Sequence, residues 1–176
     1  MRIGEVTEVR SLLEYRFQQT EDSKKVAFGT FVKVEHEDYT VLGVIADIEI
    51  RNPSLGTYPR PKRLDADVRH VFPDLFDQFP TFVSVACLGY WTKESGWIQD
   101  IPLYPPQVYK DVVVALDTDV EAFCRPGSEV VLDFVLLLKE IDLGPLGNRL
   151  IYRILVVLET LLGFSPGELL KVTQFE

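Results

Sequence analysis

Apolar and polar positions alternate along most of the first 50 residues. Residues 2–8 and 11–18 alternate with a period of two, which predicts two strands. Glu21-Asp22-Ser23-Lys24-Lys25 is a polar turn. Residues 26–35 form the next predicted strand, with Val26, Phe28, Val32 and Val34 among its apolar positions. His36-Glu37-Asp38 reads as a hairpin turn, and Tyr39–Glu49 as a long returning strand. Gly29 and Gly43 fall inside strand patterns, where glycine marks a bulge or the tight bend that a small barrel needs.

The alternation then stops. Residues 51–80 hold Pro53, Pro59, Pro61, Pro73 and Pro80, and they read as an insertion off the barrel. Pro73 at a first turn predicts a short helix, whose Phe72, Leu75, Phe76 and Phe79 recur at three- and four-residue spacing. That apolar face needs a cover, either the barrel's own flank or a partner protein. Thr81–Thr92 resumes β structure, and Trp97-Ile98 pairs back on it across Lys93-Glu94-Ser95-Gly96. Ile101-Pro102-Leu103-Tyr104-Pro105-Pro106 is an extended, proline-bound segment that is excluded from a central strand. Val108–Val114 is rich in apolar residues. Asp117 or Thr118 is placed to cap a short helix with acids in its first turn.

The C-terminal part carries two patterns. In residues 130–140, Val130, Leu132, Phe134, Leu136 and Leu138 alternate as on one face of a strand. Glycines and a proline over 142–148 signal a turn. Leu150–Leu162 fits a helix capped by Asn148 and ended by Gly163, although its even positions also fit a strand returning beside the previous one. Ser165-Pro166-Gly167-Glu168 has the pattern of a capping box opening a last short helix. The expected fold is mainly β: a small closed β-barrel over 1–128 with the Pro-rich insertion at 51–80. A short α-helical or hairpin appendage over 129–176 follows it. The tail is too apolar to face water and must pack on the barrel or on another copy of the chain; Leu150, Ile154 and Leu158, with Phe72, Leu75, Phe76 and Phe79, are the expected contact surfaces for self-association or a docked partner.

Charge narrows the function. The formal net charge is −9. Residues 1–63 balance ten Lys/Arg against ten Asp/Glu, whereas residues 64–176 hold eight against seventeen and carry the whole imbalance. Such a surface repels phosphate backbones. The one basic patch, Arg60-Pro61-Lys62-Arg63 beside Tyr58, offers an alternative in which a barrel loop binds nucleic acid. It could equally dock on the acidic surface of a neighbouring copy. Cys87 and Cys124 form no Cys-x-x-Cys pair, and no charged-then-apolar leader opens the chain, so buried thiols in a cytoplasmic protein are expected. Leu150–Phe164 contains Arg153 and Glu159 and is too short to span a bilayer.

The glycine-punctuated runs Ile3-Gly4-Glu5-Val6, Phe28-Gly29-Thr30-Phe31, Val41-Leu42-Gly43-Val44-Ile45 and Val85-Ala86-Cys87-Leu88-Gly89-Tyr90 resemble the N-terminal barrel of HerA-type DNA translocases. It is called the HAS barrel because ATP synthase subunits share it. The order of the second half is the more specific part: a Leu-Gly-Tyr strand end, the Pro-rich stretch 101–106, then a strand and a short acidic helix ending in Phe123. The resemblance implies an assembly platform that forms rings or docks a partner such as a HerA-type ATPase or a NurA-type nuclease. It carries over no catalytic residue and no cofactor. Gly-x-x-x-x-Gly-Lys-Ser/Thr is missing, and Gly144-Pro145-Leu146-Gly147-Asn148 lacks the phosphate-reaching lysine. The remaining candidates for chemistry are weak. Asp65, Asp67 and His70 could gather a divalent metal in a Pro-rich loop, where acid pairs are mostly solvated. Acids precede Cys124 and oppose a reactive thiolate. The expected role is therefore a non-enzymatic adaptor with a protein partner or a second copy, touching nucleic acid only indirectly and no membrane.

Overall fold

A computed structural model describes residues 1–20, 23, 25–50 and 80–164. Among these residues seven strands form one antiparallel sheet: β1 (Arg2–Val9), β2 (Glu14–Gln19), β3 (Phe31–Glu35), β4 (Tyr39–Ile50), β5 (Thr81–Thr92), β6 (Gly96–Ile98) and β7 (Asp111–Val114). The order is β2-β1-β7-β3-β4-β5-β6, and an added β2–β5 pairing closes six strands into a barrel. At the seam Glu14 lies opposite Ala86 and Gln18 opposite Phe82. β5 then leaves β2, and its far half takes β6 as neighbour, with Tyr90 opposite Ile98. β6 is the one described strand outside the barrel.

Alternation along these strands separates two cores. Ile3, Val6, Tyr15, Phe17, Val32, Val34, Val41, Ile45, Val83, Val85, Cys87 and Val112 fill the barrel interior. Phe31, Leu42, Val44, Ala46, Ala86 and Leu88 point outward and meet the helices. β4 reads as one apolar run, Val41 to Ala46, because both of its faces are covered. Bulges at Leu88 on β5 and Ala46 on β4 supply the extra coil that a six-stranded closure needs.

Three described helices cover the outer face: α1 (Asp117–Cys124), α2 (Phe134–Glu140) and α3 (Gly147–Leu162), with a 3₁₀ turn at Gly144–Leu146 before α3. The cap of α1 lies one residue earlier than expected. Leu116 takes that position, and its N–H donates to Asp119 Oδ2 at 3.1 Å. The 130–140 segment corrects the strand expectation, because residues 134–140 are helical. α2 buries Phe134, Val135 and Leu138 and leaves Leu136 exposed, the spacing of a helix face. The physical reason lies elsewhere in the chain: the closed barrel offers this segment no strand to pair with, whereas its outer face needs a cover. In 150–162 the helical alternative holds, and the helix starts at Gly147, so Asn148 lies within it rather than capping it. Gly163, at φ 73°, closes it in the left-handed conformation.

Leu150, Ile154 and Leu158 are expected from the sequence to be contacts for a partner or a second copy. All three are wholly buried in the chain's own core, with Phe123, Phe134 and Leu138. The tail's apolar stripe is thus consumed by the barrel flank, and these side chains present no surface to a partner in this fold.

Candidate functional site

The apolar surface that does face solvent lies on the connection from β6 to β7. Ile101, Leu103, Tyr104, Val108 and Tyr109 are all exposed, Tyr104 by 68% and Tyr109 by 78%. Between them Pro102 and Pro106 are buried, and each fixes its own φ. The backbone of this loop is fastened at three places. Gln99 Nε2 donates to the carbonyl oxygens of Phe123 and Val131, at 2.8 Å each, and Gln99 Oε1 accepts from the Phe134 N–H at 3.3 Å. One side chain therefore ties the loop's start to α1, to α2 and to the segment between them. In the middle, the Tyr39 hydroxyl donates to the Tyr104 carbonyl (3.1 Å) and accepts from the Tyr104 N–H (3.2 Å). At the end, the Tyr109 N–H donates to Val6 O at 2.8 Å, and the Val6 N–H donates to Lys110 O at 2.9 Å. Tyr109 is held at φ 68°, a conformation that costs a bulky side chain on the order of 1–3 kcal/mol.

Aromatic rings seat the loop on the barrel. The Tyr39 ring lies 5.5 Å from that of Tyr90, and 6.0 Å edge-on from that of Tyr104. His36 lies 6.2 Å from Tyr39. A groove of Glu35, Tyr109, Lys110, Asp111 and Val113 continues the surface. Its acids are already paired, Glu35 with Lys33 at 2.8 Å and Asp111 with Arg2 at 2.9 Å. What the arrangement offers is a pre-ordered set of apolar and aromatic side chains. Such a set binds without first losing loop entropy.

A titratable imidazole, that of His36, is part of this seat. Its Nε2 is buried with no hydrogen-bond partner among the described residues, and burial, then Lys110, lower its pKa. Tyr39 packs on the ring, and Glu35, Glu37 and Asp38 flank it in sequence. Unfolded histidine titrates near about 6.5. Below that pH the unfolded chain takes up a proton that folded His36 resists, so stability falls until the lower folded pKa is passed. We predict that urea midpoints measured at pH 7.5 and pH 5.5 differ less for His36→Gln than for the unaltered protein. An equal difference would assign the pH response elsewhere.

Of the residues singled out from sequence, Phe72, Leu75, Phe76 and Phe79, the basic Tyr58, Arg60, Lys62 and Arg63, and the candidate metal set Asp65, Asp67 and His70 lie outside the described residues. So does the expected capping box at 165–168. Among the described residues no three His, Cys, Asp or Glu side chains gather as a metal site requires. Cys87 and Cys124 are buried free thiols on opposite sides of the sheet, Cys87 in the barrel core and Cys124 in the helical one. Burial pushes the Cys124 thiol up to about 12 and that of Cys87 higher still, so both stay protonated near neutral pH. The Tyr15 hydroxyl is wholly buried inside the barrel, without a partner among the described residues. No described helix is long and apolar enough to cross a membrane. Sequence pattern does not single out the exposed loop as a site, because alternation carries no information about a segment without regular structure. The available signal is a run of large apolar residues set between prolines that bar it from a central strand.

Comparison with known proteins finds no match among protein-family models or curated proteins.

Proposed function

We propose that the chain is a non-enzymatic β-barrel adaptor that docks onto another protein through the 101–109 loop. The observation that carries this reading is the pairing of a fastened backbone with solvent-facing Ile101, Leu103, Tyr104, Val108 and Tyr109. Large apolar side chains held out in water on an ordered loop lower the free energy only when something covers them. The resemblance to the HAS barrel supplies the partner class, a HerA-type ATPase or nuclease subunit; a second copy is the other occupant.

A photo-crosslinking amino acid placed at Val108 tests this in the native cell. The expected product is a discrete adduct whose partner, identified by mass, is an ATPase or nuclease subunit or the chain itself. Leu103→Asp with Tyr104→Asp should lower adduct yield at least tenfold. Stability should fall by no more than about 1.5 kcal/mol, because Leu103 is exposed and Tyr104 gives up only its edge contact with Tyr39 while its backbone bonds remain. An undiminished yield in this variant, or no discrete adduct, refutes the reading.

A further inference from the structure

Six arginines lie among the described residues. Arg2 holds Glu5 and Asp111, Arg10 holds Glu8 and Glu14, Arg16 holds Glu49, and Arg125 holds Glu121. Arg149 and Arg153 hold no carboxylate among the described residues. They lie four apart on the exposed side of α3, with Tyr152, 72% exposed, beside them. Carboxylates are not scarce here, since acids outnumber bases seventeen to eight over residues 64–176. Among the described residues the two guanidinium groups stay open, in the acidic half of the chain.

The surface around them is shaped. Phe28, Leu146, Arg149, Tyr152 and Arg153 line an open groove. A cleft of about 190 Å³ adjoins it, sharing Phe28 and Arg153 and walled by Phe31, Val120 and Leu161. Gly29, at φ 81°, leaves the space in which the Arg153 stem lies, since a Cβ there would strike Arg153 Cγ. The stem is laid against backbone, while the Arg153 residue as a whole stays exposed. Asp117 lies on the cleft wall.

The geometry points to a docking site for an acidic peptide segment of a partner protein, in which an Asp or Glu sits beside an aliphatic or aromatic residue. The peptide carboxylate pairs with Arg149 and Arg153, whose planar forks suit it. The neighbouring side chain enters the cleft. Asp117 repels a carboxylate from the cleft, and this sets the polarity of the peptide. A polyanion fits less well. Two open arginines release few counterions, and the charge of −9 opposes a long phosphate chain. This site is separate from the 101–109 loop: Phe28 precedes β3 and His36 follows it, so the two surfaces lie at opposite ends of that strand.

A phage-displayed library of random decapeptides, selected on the full chain, tests the site. Enriched peptides should carry Asp or Glu next to Leu, Ile or Phe. A synthetic copy of the leading peptide should bind at least tenfold more weakly to Arg149→Glu with Arg153→Glu, and several-fold more weakly to Tyr152→Ala. Replacing its acids by Asn and Gln should cost as much as the double variant. Leu103→Asp with Tyr104→Asp should leave peptide affinity unchanged, so that loss of loop docking and loss of this site read out separately. No such enrichment, or binding indifferent to the two arginines, overturns the proposal. So does tighter arginine-dependent binding of a labelled twelve-nucleotide single strand or of anionic vesicles.

Discussion

Leu158→Ala is expected to lower stability by about 3 kcal/mol, and Ile154→Ala by a similar amount, because each truncation leaves a void in a core that relaxes only in part. Both side chains have no exposure, and both lie among Phe123, Phe134 and Leu138 between α3 and the outer sheet face. The variants should shift the urea midpoint with little change in slope. Their double variant should fall short of the sum, since residues one helical turn apart share a void. Leu136→Ala, on the exposed side of α2, should move the midpoint far less. The comparison separates two roles for the apolar tail. Were Ile154 and Leu158 a contact with another molecule, truncation would change particle mass and leave the isolated chain's stability alone. A midpoint unchanged in Ile154→Ala and Leu158→Ala would contradict the packing of α3 on the barrel.

How much of this is legible in the sequence depends on how local the deciding forces are. The strands of the barrel are legible because a two-sided sheet writes itself as period-two alternation, seen in Val32 and Val34 against Phe31 and Lys33. Gly163 is legible as a helix end because the left-handed turn it makes is a property of one residue. Residues 130–140 mislead for the opposite reason. Val130, Leu132, Phe134, Leu136 and Leu138 satisfy a strand, and Phe134, Val135 and Leu138 satisfy a helix. The choice is made by barrel closure, an event among residues 2–114. The loop site is half legible: its prolines show that it leaves the sheet, but its exposure is fixed by Gln99 bonding to Phe123, Val131 and Phe134, far along the chain. That Arg149 and Arg153 are open among the described residues depends likewise on what the other charges have already paired with.

Gly89→Val should be a severe substitution where β5 passes from β2 to β6, at about 3 kcal/mol or more. A Cβ at this position would overlap the Ile98 carbonyl oxygen and crowd Gln99 Cα and the Phe123 ring. Two of these are backbone, so no rotamer change relieves them. The site is also where structure and display meet. Gly89 follows the Leu88 bulge, at which β5 exchanges β2 for β6, and it lies under Gln99, the hub that ties the loop to α1 and α2. Pushing Gln99 outward strains all three of its hydrogen bonds, so the loop should loosen along with the fold. Trp97, edge-on to Phe123 at 5.7 Å, reports on this in a Trp91→Phe background, and its emission should shift toward that of a solvated indole in Gly89→Val. Gly127→Ala is the matched control, because a Cβ there meets nothing within 4 Å, and it should change stability by less than about 0.5 kcal/mol. If Gly89→Val keeps both the urea midpoint and the Trp97 emission of the matching Gly89 protein, the tight junction of β5, β6 and α1 is wrong. The support for an ordered docking loop then goes with it.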